Sequence, residues 1–386
     1  MNATVPDPGP ARDGAGWRSR DPRCRRVVLK LGSRLLTGGT GSLLADRIRM
    51  YAAAVARNRA VETVIVSSGA VAAGYPSVGY ATVPGESRKR QAAAAVGQTL
   101  LMRTYTEAFA EHGIAVGQLL LTGESIRDRR RYVNARNTFA AMFAAGVVPI
   151  VNENDAVSSD DCRVGDNDNL AAYTAALVDA DLLVLFTDVP GVYDGDPSDG
   201  AARVIPFAAS ADELRPFCYR KRAAESRGGM HTKLEAAEKA GRYGVPTVIA
   251  SGLDPDTLDA VYAGRPAGTR IAAYAEPLNA HQHWMAIQRR PAGQLVVDDG
   301  ALAALGAGHS LLARGVVRGM GRFAAGTVVS IVDGNGVERA RGVTRFDDRD
   351  IERIAGRHSS EIRTIVGYRA GTTVVRSDRL VIMEPT

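Results

Sequence analysis

RVVLKLGS, residues 26–33, and VETVIVSSGA, residues 61–70, have the same form: a short apolar run that ends in a glycine turn and leads towards helix-like sequence. Runs of this length, rich in Val and Ile and closed by glycine, read as buried strands. Further strands are suggested at residues 116–121, 147–151, 182–186 and 246–250, with Ala-rich helical stretches between them. Strands alternating with helices predict an α/β fold, an open and mainly parallel sheet sandwiched by helices. Right-handed crossovers would place the strand-end loops on one edge, where open α/β sheets bind ligands.

After about residue 275 the texture changes. Short Val/Ile runs at residues 294–297, 316–318, 327–332, 340–344, 372–375 and 380–383 alternate with glycine turns such as Asp333-Gly334-Asn335-Gly336, which predicts a small β-rich domain. A chain of 386 residues exceeds one ordinary core. The expected division is a leader at 1–25, a catalytic domain at 26–275, a linker at 276–292 and the β-rich domain at 293–386. The leader holds six Arg against three Asp before Val27, half of the chain's net charge of +6. It is rich in Pro and Gly and has no apolar stretch, so it reads as disordered rather than as a secretory signal or a membrane span. Cys24, Cys162 and Cys218 are odd in number and far apart. They form neither a disulfide framework nor a zinc spacing, and a reduced cytoplasmic compartment fits them best.

Chemistry concentrates in VNENDAV, residues 151–157, and VGDNDNL, residues 164–170, where carboxylates and carboxamides follow the end of an apolar strand. One account is a polar loop leading into a helix at 170–177. The other is a site for a small zwitterion, with carboxylates holding an ammonium and carboxamides giving and accepting hydrogen bonds. Lysine survives at only five positions among 48 basic residues, and Lys30 and Lys233 both stand beside glycine-rich turns. An ammonium is a compact point charge suited to phosphate, although chance retention on a solvated surface explains any one lysine equally well. RGGMHTK, residues 227–233, precedes a helical stretch at 234–241, and glycines before a helix N-terminus let backbone N–H groups approach phosphate. TDVPGVY, residues 187–193, follows a strand and could hold a nucleotide's sugar or adenine, or be an ordinary turn before a Pro-Gly pair.

VVLKLGSRLLTGG, VSSGAVAAG, AVGQTLL, GQLLLT, YVNARNTF, VPIVNENDAV, VGDNDNLAA, FTDVPGVY and GGMHTKLEAA occur in that order from about residue 27 onward. Together they closely resemble the glutamate 5-kinase family of amino acid kinases, and residues from about 294 resemble the PUA domain that bacterial members carry. The resemblance implies the amino acid kinase fold and transfer of the γ-phosphoryl group of ATP to the γ-carboxylate of L-glutamate, the first step towards proline. It puts Lys30 and Lys233 against the transferring phosphoryl group, with Asp168 orienting both lysines. Gly32, Ser68 and Gly69 would give donors around the phosphate and the acceptor carboxylate. Asp155, Asp166 and Asn167 would bind glutamate, with Asn152 and Asn154 supporting the loop. Thr187, Asp188, Arg227, Gly228, Gly229, Met230, His231, Thr232 and Lys233 would bind ATP. Mg²⁺ would bridge the phosphates without a dedicated protein metal site. No general base is needed, because a glutamate carboxylate is already ionised at neutral pH. Ser33, where threonine is usual, and His231, where serine is common, depart from the family pattern without touching the lysines or key aspartates.

The resemblance further implies proline as feedback inhibitor and a homo-oligomer, dimer or tetramer. Sister kinases acting on aspartate, acetylglutamate, carbamate or a nucleoside monophosphate would share the fold and lysines, but the paired Asn/Asp motifs and the PUA-like part argue against them. An RNA-binding protein is a rival of another class. From residue 293 onward, 13 Arg against 11 Asp plus Glu leave an excess of only two, which argues against binding driven by phosphate neutralisation. The chain is too short to include a fused reductase.

Overall fold

The computed structural model describes residues 24–40, 42–123, 125, 128–158, 166–197, 200–218, 229–274, 291–367 and 373–383. The expected leader up to residue 23, most of the expected linker, Cys162, Arg227 and Gly228 lie outside the described residues. The chain splits into two compact units, Met1–Pro277 and Leu278–Thr386.

The first unit alternates β1 (Arg26–Leu31), α1 (Ser33–Thr37), α2 (Ala45–Arg57), β2 (Glu62–Ser67), α3 (Ala70–Gly74), α4 (Ser87–Ala110), β3 (Val116–Leu121), α5 (Arg129–Ala144), β4 (Val148–Glu153), α6 (Asn167–Leu177), β5 (Leu182–Thr187), β6 (Phe207–Ala208), α7 (Met230–Arg242), β7 (Thr247–Ser251), α8 (Pro255–Tyr262) and β8 (Thr269–Ile271). Its eight strands lie in the order β3-β4-β2-β1-β5-β7-β8-β6. Every neighbouring pair is parallel except β7 with β8, which is the expected fold. The chain winds outward from β1 in both directions, through β2 on one side and β5 on the other. The crevice outside the carboxyl ends of these strands is therefore the topological switch point where ligands bind in such sheets.

The period of two along β1 decides what faces what. Val27, Leu29 and Leu31 join one core with Ile48, Tyr51 and Val55 of α2, Leu101, Tyr105 and Phe109 of α4, and Leu258 of α8. Val28 and Lys30 point to the other face, which α6 covers in contact with β1, β2 and β5 while packing on α7. Lys30 is thus carried into the sheet by a strand whose other residues after Arg26 are all apolar.

Two helices start earlier than their apolar residues suggest. Helix α6 begins at Asn167 rather than 170, and α7 at Met230 rather than 234. In α6 the reason is the cap: Asp166 Oδ1 accepts from the Asn169 backbone N–H at 2.8 Å, so the polar residues fill a first turn whose N–H groups have no helical partner. The last three residues of the predicted polar loop, Asn167 to Asn169, are consequently helix. Helices α3 and α4 meet backbone to backbone, because a Cβ added at Gly74 would lie 1.9 Å from the Ala93 carbonyl oxygen and one at Gly97 would lie 1.8 Å from that of Ala70.

The second unit contains β9 (Gln294–Val297), α9 (Asp299–Gly306), β10 (Leu311–Leu312), β11 (Val316–Met320), β12 (Val328–Val332), β13 (Glu338–Thr344), α10 (Asp348–Ile354), α11 (Ile362–Val366) and β14 (Thr373–Ile382). Its six strands run in the order β10-β14-β13-β12-β9-β11 around a core that includes Leu295, Val329, Ile331, Phe346 and Val374. The two strands expected at 372–375 and 380–383 are one. The polar residues 376–379 between them are exposed, and the β13–β14 register shifts where they intervene. Three helices accompany the sheet that the Val/Ile runs alone imply. Among the described residues, no helix is long and apolar enough to cross a membrane.

Candidate active site

Three elements deliver charge to one point at the carboxyl edge of the first sheet. Lys30 comes from the end of β1, Asp168 from the first turn of α6 and Lys233 from the first turn of α7. Lys30 Nζ lies 2.6 Å from Asp168 Oδ1 and Lys233 Nζ lies 3.0 Å from Asp168 Oδ2. The Thr232 hydroxyl lies within hydrogen-bond reach of Asp168 Oδ2, at 2.9 Å. All three charged residues are buried, at 6%, 0% and 4% exposure for Lys30, Asp168 and Lys233. Burial alone would raise the Asp168 pKa, but the charges of Lys30 and Lys233 and their hydrogen bonds outweigh it and hold the carboxyl at about 2. Burial, then the neighbouring Lys233 charge, lowers the pKa of Lys30 against the pull of Asp168. Two lysines share the Asp168 carboxylate in a desolvated setting, with the Asp166 carboxyl also acting on both through its charge, and two amines brought so close favour an anion between them.

A second, neutral network adjoins it. Asn167, next to Asp168, donates through Nδ2 to Ser68 Oγ at 2.8 Å, to Asn152 Oδ1 at 2.9 Å and to the Ser67 carbonyl at 3.2 Å. Asn152 Oδ1 also accepts from the Glu153 N–H at 2.9 Å, and its Nδ2 donates to Gln98 Oε1 at 2.8 Å. Ser68 and Gly69 form the turn between β2 and α3, and Gly69 has φ 108°, a left-handed conformation that favours glycine. Gly32 lies so near Lys30 that a Cβ there would be 3.6 Å from Nζ.

The remaining candidate residues spread around this centre. Asp155 lies in a turn after β4 and lines a cavity with Glu153 and Asn154. Asp166 caps α6; burial raises its pKa, the Asn169 N–H bond lowers it and the Asp168 charge raises it again. Thr187 ends β5 and its hydroxyl lies 3.2 Å from Asp188 Oδ1, while Asp188 pairs with Arg34 at 3.5 Å on the exposed edge. Among the described residues, no hydrogen bond or ion pair joins Thr187 or Asp188 to the lysine cluster. Gly229 is the N-cap of α7, and Met230, His231, Thr232 and Lys233 form its first turn. The His231 ring points out to Glu235 at 3.2 Å, and its side chain is 65% exposed. Gln98 was not among the residues singled out by sequence. It stands in the quoted run AVGQTLL, but an amide in an Ala-rich helix carries no signal of its own.

Residues 25–251 match the amino acid kinase family and residues 293–366 match the PUA domain. The glutamate 5-kinase of Trichlorobacter lovleyi is 43% identical over 364 residues, covering 93% of this chain and 97% of that protein. That of Geobacter sulfurreducens is 42% identical over 366 residues, covering 94% and 98%, and that of Shewanella sediminis is 41% identical over 366 residues, covering 93% and 98%. With the family matched over the unit that holds the lysine cluster and with relatives aligned over nearly their whole length, the chain belongs to the amino acid kinase family and, within it, to the glutamate 5-kinases that carry a PUA domain.

Proposed function

We propose that this protein transfers the γ-phosphoryl group of ATP to the γ-carboxylate of L-glutamate, giving L-glutamyl 5-phosphate. The observation that carries this reading is the buried Lys30–Asp168–Lys233 cluster, two lysines on one carboxylate, directly beside the Ser68–Asn167–Asn152 network. Phosphoryl transfer asks a protein chiefly for positioning and for charge on the non-bridging oxygens. Lys30 and Lys233 supply that charge. Asp168 is a positioning residue that fixes both ammonium groups, and with its carboxyl held at about 2 it is ionised at any working pH. It is therefore no proton acceptor, and none is required, since the attacking carboxylate is already ionised. Ser68, Gly69 and Gly32 present donors to the acceptor carboxylate and the phosphate. Asp155, Asp166 and Asn167 recognise the amino acid, and Thr187, Asp188 and the start of α7 hold the nucleotide.

Asp168 is already engaged by Lys30, Lys233 and Thr232. Mg²⁺ would enter with the nucleotide substrate, bridging its phosphates as this ion usually does. The reading includes proline as an inhibitor that overlaps the glutamate loop, because both ligands carry a carboxylate and a positively charged amine on the α-carbon. It includes a homo-oligomer, which light scattering tests. It also includes a cytoplasmic setting, on the ground of three cysteines odd in number and far apart, and no role in RNA binding for the second unit.

A coupled ATP-consumption assay with L-glutamate, L-aspartate, acetylglutamate, carbamate and UMP tests the proposal. Turnover is expected with L-glutamate, falling as proline is added and restored by saturating glutamate. Preference for any other acceptor would overturn it.

A further inference from the structure

A cavity of about 320 Å³ opens beside the neutral network, lined among others by Ala70, Gln98, Gln118, Glu153 and Asp155. Gln98 immediately follows Gly97, whose backbone contact with α3 fixes this part of α4. The orientation of its amide follows from a chain of hydrogen bonds anchored on backbone groups. Asn167 Nδ2 faces the Ser67 carbonyl, which can only accept, so this nitrogen is a donor and Asn152 must meet it with Oδ1. The Glu153 N–H, which can only donate, points to the same Oδ1. Asn152 therefore turns Nδ2 towards Gln98, and Gln98 must answer with Oε1. What remains is Gln98 Nε2, a buried nitrogen with two N–H groups and no hydrogen-bond partner among the described residues.

A buried donor left unpaired is costly, and such a group calls for an explanation. Only an acceptor relieves it; a cation cannot. Asp155 lines the same cavity, and its carboxylate suits a cation. One small group offers both an anionic acceptor and a cation: the α-carbon of an amino acid, with its carboxylate and ammonium. We propose that Gln98 is a specificity-determining residue whose Nε2 donates to the α-carboxylate of the acceptor amino acid. This rests on the glutamate phosphorylation proposed above. The relay from Gln98 through Asn152 and Asn167 to Ser68 then spans the substrate, with the α-carboxylate at one end and the reacting γ-carboxylate at the other.

The test compares L-glutamate with L-isoglutamine, which keeps the γ-carboxylate but carries an α-carboxamide, in the wild type, Gln98→Leu and Gln98→Glu. The kcat/KM ratio of L-glutamate over L-isoglutamine should fall about 10- to 100-fold in Gln98→Leu, the range for a hydrogen bond to a charged group. It should fall further in Gln98→Glu, where carboxylate meets carboxylate. The KM for ATP and the thermal melt control for a general disturbance of the fold. An unchanged ratio would overturn the proposal, and so would Gln98→Glu outperforming Gln98→Leu on L-glutamate, since Gln98 would then serve only as acceptor for Asn152. Calorimetric binding of the same two ligands to wild type and Gln98→Leu reads the preference without turnover. A Gln98-dependent preference in a protein that does not phosphorylate glutamate would uphold the donor role while refuting the kinase reading.

Discussion

Two polar clusters sit side by side at the edge of the first sheet and are built on opposite lines. Lys30, Asp168 and Lys233 are ionisable, buried and linked by short ion pairs. Ser68, Asn167, Asn152 and Gln98 are neutral, and hydrogen bonds alone hold them in line. Charge acts strongly on charge that develops in a reaction, whereas neutral donors and acceptors discriminate by shape and direction. On the function proposed above, rate falls to the first cluster and substrate choice to the second. Kinetics can separate the two, because loss of transition-state stabilisation lowers kcat while loss of ground-state recognition raises KM.

The largest effect should come from the charged cluster. Lys233→Ala or Lys30→Ala is expected to lower kcat by roughly 10³- to 10⁵-fold, by analogy with the value of an arginine finger, while circular dichroism still reports a folded protein. Wild-type turnover in Lys233→Ala would remove the basis of the contrast. Acid sensitivity is the next effect. The folded pKa of Asp168, about 2, lies below its ordinary value of 3.8, so the stability it contributes is present above about pH 4 and is lost as pH falls through 2. The loss should approach about 2 kcal/mol. Asp166 has the opposite sign: its pKa is raised, so its contribution is largest in acid and fades as pH rises. Denaturant unfolding followed from about pH 5 down to about pH 1, roughly one unit beyond the unfolded and folded carboxyl values of Asp168, should show a steeper decline in the wild type than in Asp168→Asn. Parallel curves would mean that Asp168 is not held by the lysines.

On the recognition side, Asp166 has a second occupation as helix cap, and the two can be separated. Asn is as good an N-cap as Asp, whereas Ala costs about 1 kcal/mol of stability. Asp166→Asn should therefore raise the KM for glutamate by about tenfold, the size of one ordinary polar contact, with little change in melting temperature or in the KM for ATP. Asp166→Ala should do both. Equal rises in both KM values would point to a collapsed loop instead. The smallest effect is expected from truncation after Pro277, since both clusters belong to the unit that ends there. Retained turnover within a few-fold, by the usual behaviour of separable domains, would confine the contrast to that unit. A folded but inactive truncation would show that it omits a contributor.

Sequence alone reached these clusters unequally. The six long strands of the first sheet were visible because buried parallel strands are continuous apolar runs, and β6 and β8, of two and three residues, were not because so short a run has no period. Lys30 and Lys233 stood out by scarcity, and Asn152, Asp155 and Asn167 by the density of amides and acids around them. The start of α6 was hidden because its first turn is made of cap residues rather than of an apolar stripe. Gln98 stayed hidden for a different reason. Its significance lies in which end of its amide is left over, and that depends on partners 54 residues away in the chain. The matched motifs named the family but attached no role to this residue.

The backbone contact between Gly74 and Gly97 has a bearing on how finely the site is gauged. Helix α3 starts directly after Ser68 and Gly69, and α4 carries Gln98, so the separation of these two helices is also the separation between the two ends of the proposed substrate. With no side chain between them, that distance is set by main-chain atoms already touching and has almost no slack. A single methyl group at either glycine would act as a shim, lengthening the gauge by an amount comparable with one methylene of the acceptor. The discrimination between acidic amino acids that differ by one methylene would then reside in the absence of two side chains as much as in the presence of the Gln98 amide.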